Sequence, residues 1–301
     1  MDTLGDRLTD FVKGARRECV LAAPYIKAAT LKRIIDAIPV DGQIKVVTRW
    51  RIDEIAMGVS DLEIWELIKL RGNSSLMLKP TLHAKYYRAD QSIAFGSANL
   101  TDAALGWSKN PNLEILEVFD PEHTSLQKFE GSLFAGTTIV DERLYQIFLK
   151  ALDAFPRPQR QIEPAILGTE TVSAEFWRPC VRFPEDLYAF YAGKDATLTT
   201  AAREAAASDL AALQPPPALS PDAFKAWIGL AILQSNEFKE IDSFIVSSRR
   251  FGEMRNLIAS RGATDGSWSW QTWMRWILHF LPDHFVFHTA NYSEIVSRPQ
   301  K

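Results

Sequence analysis

Thr81-Leu82-His83-Ala84-Lys85-Tyr86-Tyr87-Arg88-Ala89-Asp90, then Phe95-Gly96-Ser97-Ala98-Asn99-Leu100-Thr101, then Asn112-Leu113-Glu114, are the residues on which the reading of this chain turns. Residues 82–87 have the composition of a strand, and alternate side chains of a strand share a face. A strand here sets the His83 imidazole and the Lys85 ammonium side by side, able to meet one ligand. Gly96 and Ser97 close the next strand-like run, 92–95. Glycine lets the backbone approach closely, Asn99 offers an amide donor, and Thr101 can cap a short helix through Leu105. Such a corner suits a phosphate. Glu114 begins a further strand-like run, where its carboxylate can accept the Nδ1 proton of His83 and leave Nε2 as a nucleophile. Taken alone, a histidine and a lysine two apart are commonly a satisfied histidine and a solvated lysine. Gly96, Ser97, Asn99 and Glu114, in that order behind them, argue for a phosphodiester site.

Outward from this stretch the first half alternates helix and strand patterns. Leu4, Leu8, Phe11 and Val12 form a helical stripe over 4–16, followed by a buried strand over 19–23 that Pro24 bounds. Leu31, Ile34, Ile35 and Ile38 repeat the helical spacing over 28–38, and Asp41-Gly42 turns into a strand over 44–47. Gly58 closes a shorter helix. Ser60-Asp61-Leu62-Glu63 reads as a capping box opening a helix through Leu70 that Gly72 ends. Strand-like runs follow at 76–78, 82–87, 92–95 and 113–119. The expected fold class is α/β, a mixed sheet flanked by helices. After Pro156 the composition shifts. Residues 196–213 are Ala-rich and helical, 214–221 is a Pro-rich connector with Pro221 at a first helical position after Ser220, and 240–261 and 270–281 are again helical. Two domains are expected: 1–155, and a mainly α domain over 156–301 with a recognition, regulatory or dimerisation role. No internal repeat is found.

The 301 residues, 47% apolar and 24% charged, describe an ordinary globular chain able to bury a sizeable core. A net charge of -3 and a pI near 6.0 supply no global field for a polyanion, so nucleic-acid binding would need a local basic patch. Cys19 and Cys180 lie far apart without metal-ligand spacing, which fits a reducing compartment and two core thiols. The polar opening of the chain and the lack of a long apolar run lead us to expect a cytoplasmic protein without stable membrane association. Arg249, Arg250, Arg255 and Arg275, with Trp268 or Trp270 to stack, can make a basic face or, with Glu240, Asp242 and Glu253 among them, an ordinary solvated surface. Trp273, Trp276, Ile277 and Phe280 form a stripe that reads as a core or dimer face. His279, His284 and His288 lack a metal-ligand partner set, so no metal is assigned.

The central residues resemble the signature of the phospholipase D superfamily: His-x-Lys with a downstream Asp, then Gly-Ser-x-Asn, then a Glu on the following strand. The resemblance covers most of residues 1–120, including the Ala23-Pro24-Tyr25-Ile26 turn and the Val47-Thr48-Arg49 strand end. It implies a phospholipase D-like sheet and a double displacement at phosphorus that uses no metal or cofactor. His83 would attack, Lys85 and Asn99 would hold the nonbridging oxygens with Ser97 in support, and Glu114 would complete the catalytic set. The gap from Asp90 to Gly96 is one residue shorter than the usual spacing, so Asp90 is expected, with Gly96, as structural support. Arg49 can touch a second phosphate or be a surface arginine. The family mechanism needs two histidines. None of His123, His279, His284 and His288 is followed by Lys two positions on, so the resemblance implies a homodimer that brings together two copies of His83 and Lys85. Soluble single-motif members are commonly nucleases, including restriction-type ones with an added domain, so a DNA or RNA nuclease, conceivably in antiviral defence, is the leading expectation. A phospholipid phosphodiesterase, and a non-catalytic phosphate- or nucleic-acid-binding module, are the competing ones.

Overall fold

The computed structural model describes residues 2–119, 124–155, 177–290 and 293–299, with only the backbone for 124–127. The chain divides into two compact units, Met1–Thr171 and Val172–Lys301. The boundary expected at 155/156 adjoins residues outside the described ones.

The first unit is a seven-stranded mixed sheet in the order β6-β5-β4-β1-β2-β3-β7. Helix α1 (Leu4–Val12) leads into β1 (Glu18–Ala22), α2 (Ala28–Ala37) into β2 (Gln43–Thr48), and α3 (Ile52–Ala56) and α4 (Ile64–Arg71) into β3 (Ser74–Leu78). Strands β1, β2 and β3 run parallel, with Leu21 opposite Val46 and Val46 opposite Leu76. Parallel neighbours require crossovers of helical length, which α2 and the α3–α4 pair supply. Strands β4 (Lys85–Ala89), β5 (Ser92–Gly96) and β6 (Leu116–Phe119) then run alternately up and down: β4 is antiparallel to β1, β5 to β4, and β6 to β5. After α5 (Thr124–Phe134), the short β7 (Thr138–Ile139) pairs antiparallel with β3, and α6 (Glu142–Ala154) follows.

The alternation of side chains assigns the two faces. Val20, Ala22, Val47, Met77, Tyr86 and Ile93 share one face, covered by Phe129, Leu133 and Phe134 of α5. Cys19, Leu21, Val46, Leu76, Leu78 and Tyr87 lie on the other and are fully buried, as are Leu8, Leu31 and Ile34 of α1 and α2. Burial on both faces explains why the central residues of β1 to β3 read as apolar runs, broken only at Lys45 of β2. The polarity of the strands has a consequence for function. The carboxyl ends of β1, β2, β3 and β5 and the amino ends of β4 and β6 all lie at one end of the sheet, where open α/β sheets bind ligands.

Several local expectations are corrected. Strand β4 begins at Lys85, not at residue 82, so His83 lies in the lead-in to the strand. Strand β6 begins at Leu116, so Glu114 precedes it. The Ser60–Glu63 capping box does not form. Ile26 N–H donates to Ser60 Oγ at 3.4 Å, and Ala28 N–H donates to Asp61 Oδ2 at 2.8 Å, so both side chains cap the β1–α2 turn and α4 starts late, at Ile64. Thr101 accepts from Ala104 N–H at 3.3 Å, but it caps a turn rather than a helix. Gly58 and Gly72 do end α3 and α4 with φ of 77° and 69°.

Asp90 sits in the two-residue hairpin between β4 and β5 with a left-handed φ of 52°. Its carboxylate accepts the backbone N–H groups of Arg16, Arg17 and Glu18 at 2.9, 2.8 and 2.9 Å, which ties the hairpin to the start of β1. Desolvation works against its ionisation, yet those backbone donors prevail and hold the carboxyl below its ordinary value. Asp90 is thus structural support far from the site end of the sheet.

The second unit is mainly helical: α7 (Pro184–Tyr191), α8 (Thr200–Leu213), α9 (Pro221–Gln234), α10 (Asn236–Phe244), α11 (Phe251–Ser260) and α12 (Gly266–Phe280). Ser220 caps α9 by accepting from Ala223 N–H at 3.2 Å, with Pro221 at the first helical position. Trp270, Trp273 and Trp276 are essentially fully buried, so the α12 stripe is core. The unit also has a three-stranded sheet that was not expected, in the order β8 (Arg249–Arg250), β10 (Ser293–Ser297), β9 (Val286–Ala290). Strand β8 divides the single helix expected over 240–261. Cys180 is exposed rather than a core thiol, because its backbone N–H is turned inward to the buried Asp209 carboxylate at 3.0 Å; Cys19 is buried as expected.

Candidate active site

Four backbone segments bring the residues of interest to one end of the sheet. Lys85 opposes Gly96, and Gly96 opposes Leu116, so the start of β4, the end of β5 and the loop before β6 are neighbours. The fourth segment is the turn after β1, which is joined to the stretch after β5 by an Ile26–Leu100 bridge and a 2.9 Å bond from Lys27 N–H to Leu100 O. Gly96 is required by this packing: a Cβ built there would stand 2.0 Å from Ile115 O and 2.8 Å from Ile115 C, both backbone atoms.

His83 is exposed, and Lys85, Asn99 and Glu114 are half-buried. Lys85 Nζ donates to His83 O at 2.9 Å, which ties the lead-in segment to the ammonium. The Glu114 carboxylate accepts from Ser97 Oγ and from Asn112 Nδ2, the latter at 3.4 Å. Ser97 Oγ in turn accepts from Ile115 N–H at 3.1 Å, so the Ser97 hydroxyl fixes the Glu114 loop. Asn99 Oδ1 accepts from Tyr25 N–H at 3.4 Å.

Arg49 directly follows β2 at this same end of the sheet, but it is not an exposed arginine. It is 6% exposed and forms a pair with Glu54, itself 2% exposed, and its Nη2 donates to Tyr25 Oη at 3.0 Å. Arg51 pairs with Asp53 at 3.0 Å and approaches Glu54 at 3.8 Å. Removing one partner of a buried pair typically costs ~3–5 kcal/mol, because the other charge is left in a poor solvent. Burial raises the Glu54 carboxyl above its ordinary value, with the charges of Arg49 and Arg51 opposing the shift. Burial and the Glu54 charge likewise raise the Tyr25 phenol, so its proton stays on at neutral pH.

The electrostatics link these groups to Lys85. Burial lowers the Lys85 ammonium below the usual lysine range, the Glu114 charge opposes that shift, and the Arg49 charge adds to it. A lowered pKa means that the proton leaves at lower pH. If the ammonium is the form that holds phosphate, the alkaline limb of kcat/KM comes earlier than for an ordinary lysine. Glu114→Gln removes the opposing charge, and the limb is expected at still lower pH. A pH–rate profile of both proteins checks this, and coincident limbs would contradict it.

His83, Lys85, Ser97, Asn99, Gly96 and Glu114 are thus brought together, with Arg49 engaged behind them and Asp90 elsewhere. Tyr25, Glu54 and Asn112 belong to the same region; Tyr25 and Asn112 lay within quoted stretches without a role of their own, and Glu54 was not singled out from sequence. In the second unit, Arg249 bonds Phe244 O at 2.9 Å and Glu253 at 3.3 Å, and Arg255 bonds Asn256 at 3.2 Å. Trp270 is buried, so of the two tryptophans only Trp268, 39% exposed, has a surface to offer a base. His284 Nε2 lies 2.9 Å from Asp242 Oδ1, while His123 is outside the described residues. Among the described residues, no group of three or more His, Cys, Asp or Glu side chains is placed to hold a metal ion, and no helix is long and apolar enough to cross a membrane.

No family model matches the chain, and no curated protein does. Among the solved structures that match the chain, three show the extent of the similarity. TrmBL2, an archaeal chromatin protein whose structure is described as showing a novel mode of DNA binding, shares 19% identity over 44% of this chain and 48% of its own, with a TM-score of 0.29. NucT from Helicobacter pylori shares 14% identity over 49% of this chain and 87% of its own, with a TM-score of 0.33. Phosphatidylserine synthase from Haemophilus influenzae shares 10% identity over 54% of this chain and 45% of its own, with a TM-score of 0.39. The chain spans about half the length of the first and third of these.

Proposed function

We propose that this chain is a phosphodiesterase of the phospholipase D type, a nuclease acting on DNA or RNA through a phosphohistidine in a homodimeric site. The single observation that carries this reading is the arrival of imidazole, ammonium, carboxamide and carboxylate at one end of the sheet from three separate segments, the start of β4, the stretch after β5 and the loop before β6. In the first step His83 Nε2 attacks phosphorus, and the bond to the leaving oxygen breaks. That oxygen takes a proton from His83 of the partner subunit. In the second step the same partner imidazole removes a proton from water, which attacks the phosphohistidine and releases a phosphomonoester and free His83. Lys85 and Asn99 hold the nonbridging oxygens through both steps. Their effect is largest in the five-coordinate transition state, where charge has grown. Arg49 contributes to phosphate binding through its positive charge next to Lys85, and Ser97 contributes by holding Glu114.

The test is incubation with labelled single-stranded DNA, duplex DNA, RNA and phospholipid vesicles in excess EDTA, for wild type and His83→Ala. The reading expects nucleic-acid cleavage that survives EDTA and disappears with His83. Turnover of phospholipid alone replaces the substrate class. Binding of phosphate without any turnover replaces the enzyme with a binding module.

A further inference from the structure

The Asn99 side chain contributes as a donor only if its nitrogen, and not its oxygen, faces the ligand. A carboxamide is nearly symmetric in shape, so something must choose between the two orientations. In this fold the choice falls to Tyr25. Its backbone N–H donates to Asn99 Oδ1 at 3.4 Å, which leaves both Nδ2 protons for a ligand. Tyr25 itself is held on its far side. Its hydroxyl accepts from Arg49 Nη2 at 3.0 Å and donates to Glu54 Oε1 at 3.4 Å, and the Arg49 guanidinium carbon lies 5.5 Å from the ring centroid. The pair behind it is almost completely buried, and Arg51 Nε approaches Glu54 Oε1 at 3.8 Å.

Resting on the reading of the site given above, we propose that Tyr25, clamped by the buried Arg49–Glu54 pair, is a positioning residue that turns the Asn99 carboxamide nitrogen toward the bound phosphate. The chain of contact is continuous: Glu54 and Arg49 fix the phenol, the phenol fixes the turn after β1, and the turn fixes the amide. It also gives a role to the buried Arg49–Glu54 pair at this end of the sheet. Arg49 follows β2, Glu54 lies in α3, Tyr25 in the β1–α2 turn and Asn99 in the stretch after β5, so the device draws on four segments of the fold.

The experiment is a double-mutant cycle on the full chain, Tyr25→Phe against Asn99→Ala, read in the Kd for inorganic phosphate by calorimetry and in turnover of a nitrophenyl phosphodiester. Tyr25→Phe keeps ring and backbone and deletes only the tie to the ion pair. One lost hydrogen bond of ordinary strength sets the scale, about fivefold weaker phosphate binding. The same substitution in the Asn99→Ala background is expected to change nothing, because a residue acting through Asn99 has nothing left to position. Glu54→Asp, which keeps the charge and shortens the arm, repeats the cycle if Tyr25→Phe folds poorly by near-ultraviolet circular dichroism. Effects that multiply in the double variant, or an unchanged Kd in Tyr25→Phe, overturn the proposal. Non-additive phosphate binding without phosphodiester turnover upholds the positioning role and overturns the catalytic reading; turnover with a multiplicative cycle does the reverse.

Discussion

His83→Ala lowers phosphodiester turnover by ~10⁴-fold or more while leaving the fold intact, and this is the largest effect expected of any single substitution in the chain. A nucleophile that forms a covalent intermediate has no substitute among its neighbours, and losses of this order follow when such a group is deleted. Stability should change by only about 0.5 kcal/mol, since His83 is exposed and precedes the ordered strand. The measurement pairs kcat/KM with a urea denaturation midpoint. A loss of activity that tracks a loss of stability would place His83 in the architecture rather than in the chemistry. In a homodimer the single shared site uses both copies, so mixing His83→Ala with an otherwise intact chain carrying Lys85→Ala is expected to restore no activity, because the shared site of the mixed dimer still lacks one histidine and one lysine.

Gly96→Ala is expected to have the largest effect on stability, roughly 3 kcal/mol or more of destabilisation. The added methyl would overlap Ile115 O at 2.0 Å, Ile115 C at 2.8 Å and Leu116 Cα at 3.0 Å, and none of these is a flexible side-chain end. Relief requires β5 and β6 to part where Gly96 opposes Leu116 and where Ser97 N–H bonds Ile115 O at 3.0 Å. That movement would carry the Glu114 loop away from Ser97 and Lys85, so activity should fall even at temperatures where the variant is folded. Gly131→Ala is the control. It lies in α5 with open space around the built Cβ, and is expected to stabilise by about 0.5–1 kcal/mol through helix propensity. Urea titrations of the two variants check the contrast, and a Gly96→Ala cost below about 1 kcal/mol would mean that the β5–β6 contact is not rigid.

Much of the first unit was legible because burial writes itself into sequence in a simple way. Residues 19–22 and 76–78 are continuous apolar runs, and 44–47 is one interrupted only by Lys45, since both faces of the parallel strands are covered. The same rule misled at β4 and β6. Leu82 and Ile115 are apolar and extended, yet they precede the paired residues, and hydrophobicity does not distinguish extended backbone from a strand with a neighbour. The capping box at Ser60 failed because capping side chains serve whichever backbone donors are near in space. Here those belonged to Ile26 and Ala28, more than thirty residues back in the chain. His83, Lys85, Gly96, Ser97 and Asn99 could be singled out as candidates because their spacing is local. Glu54 and Tyr25 were not, since an acid becomes a buried partner only through the tertiary approach of Arg49. In the second unit, β9 and β10 carry few buried side chains and so lack the alternation that announces a strand.

The account stands on a bond between His83 Nε2 and phosphorus. Rapid acid-free quenching of the full chain during turnover of a nitrophenyl phosphodiester, followed by peptide mass spectrometry under alkaline conditions, reads that bond directly. The account predicts one phosphoryl adduct, on the peptide containing His83 and absent from His83→Ala. An adduct on another residue, or full turnover with no adduct at any quench time and inversion of configuration at a chiral phosphorus, would contradict it.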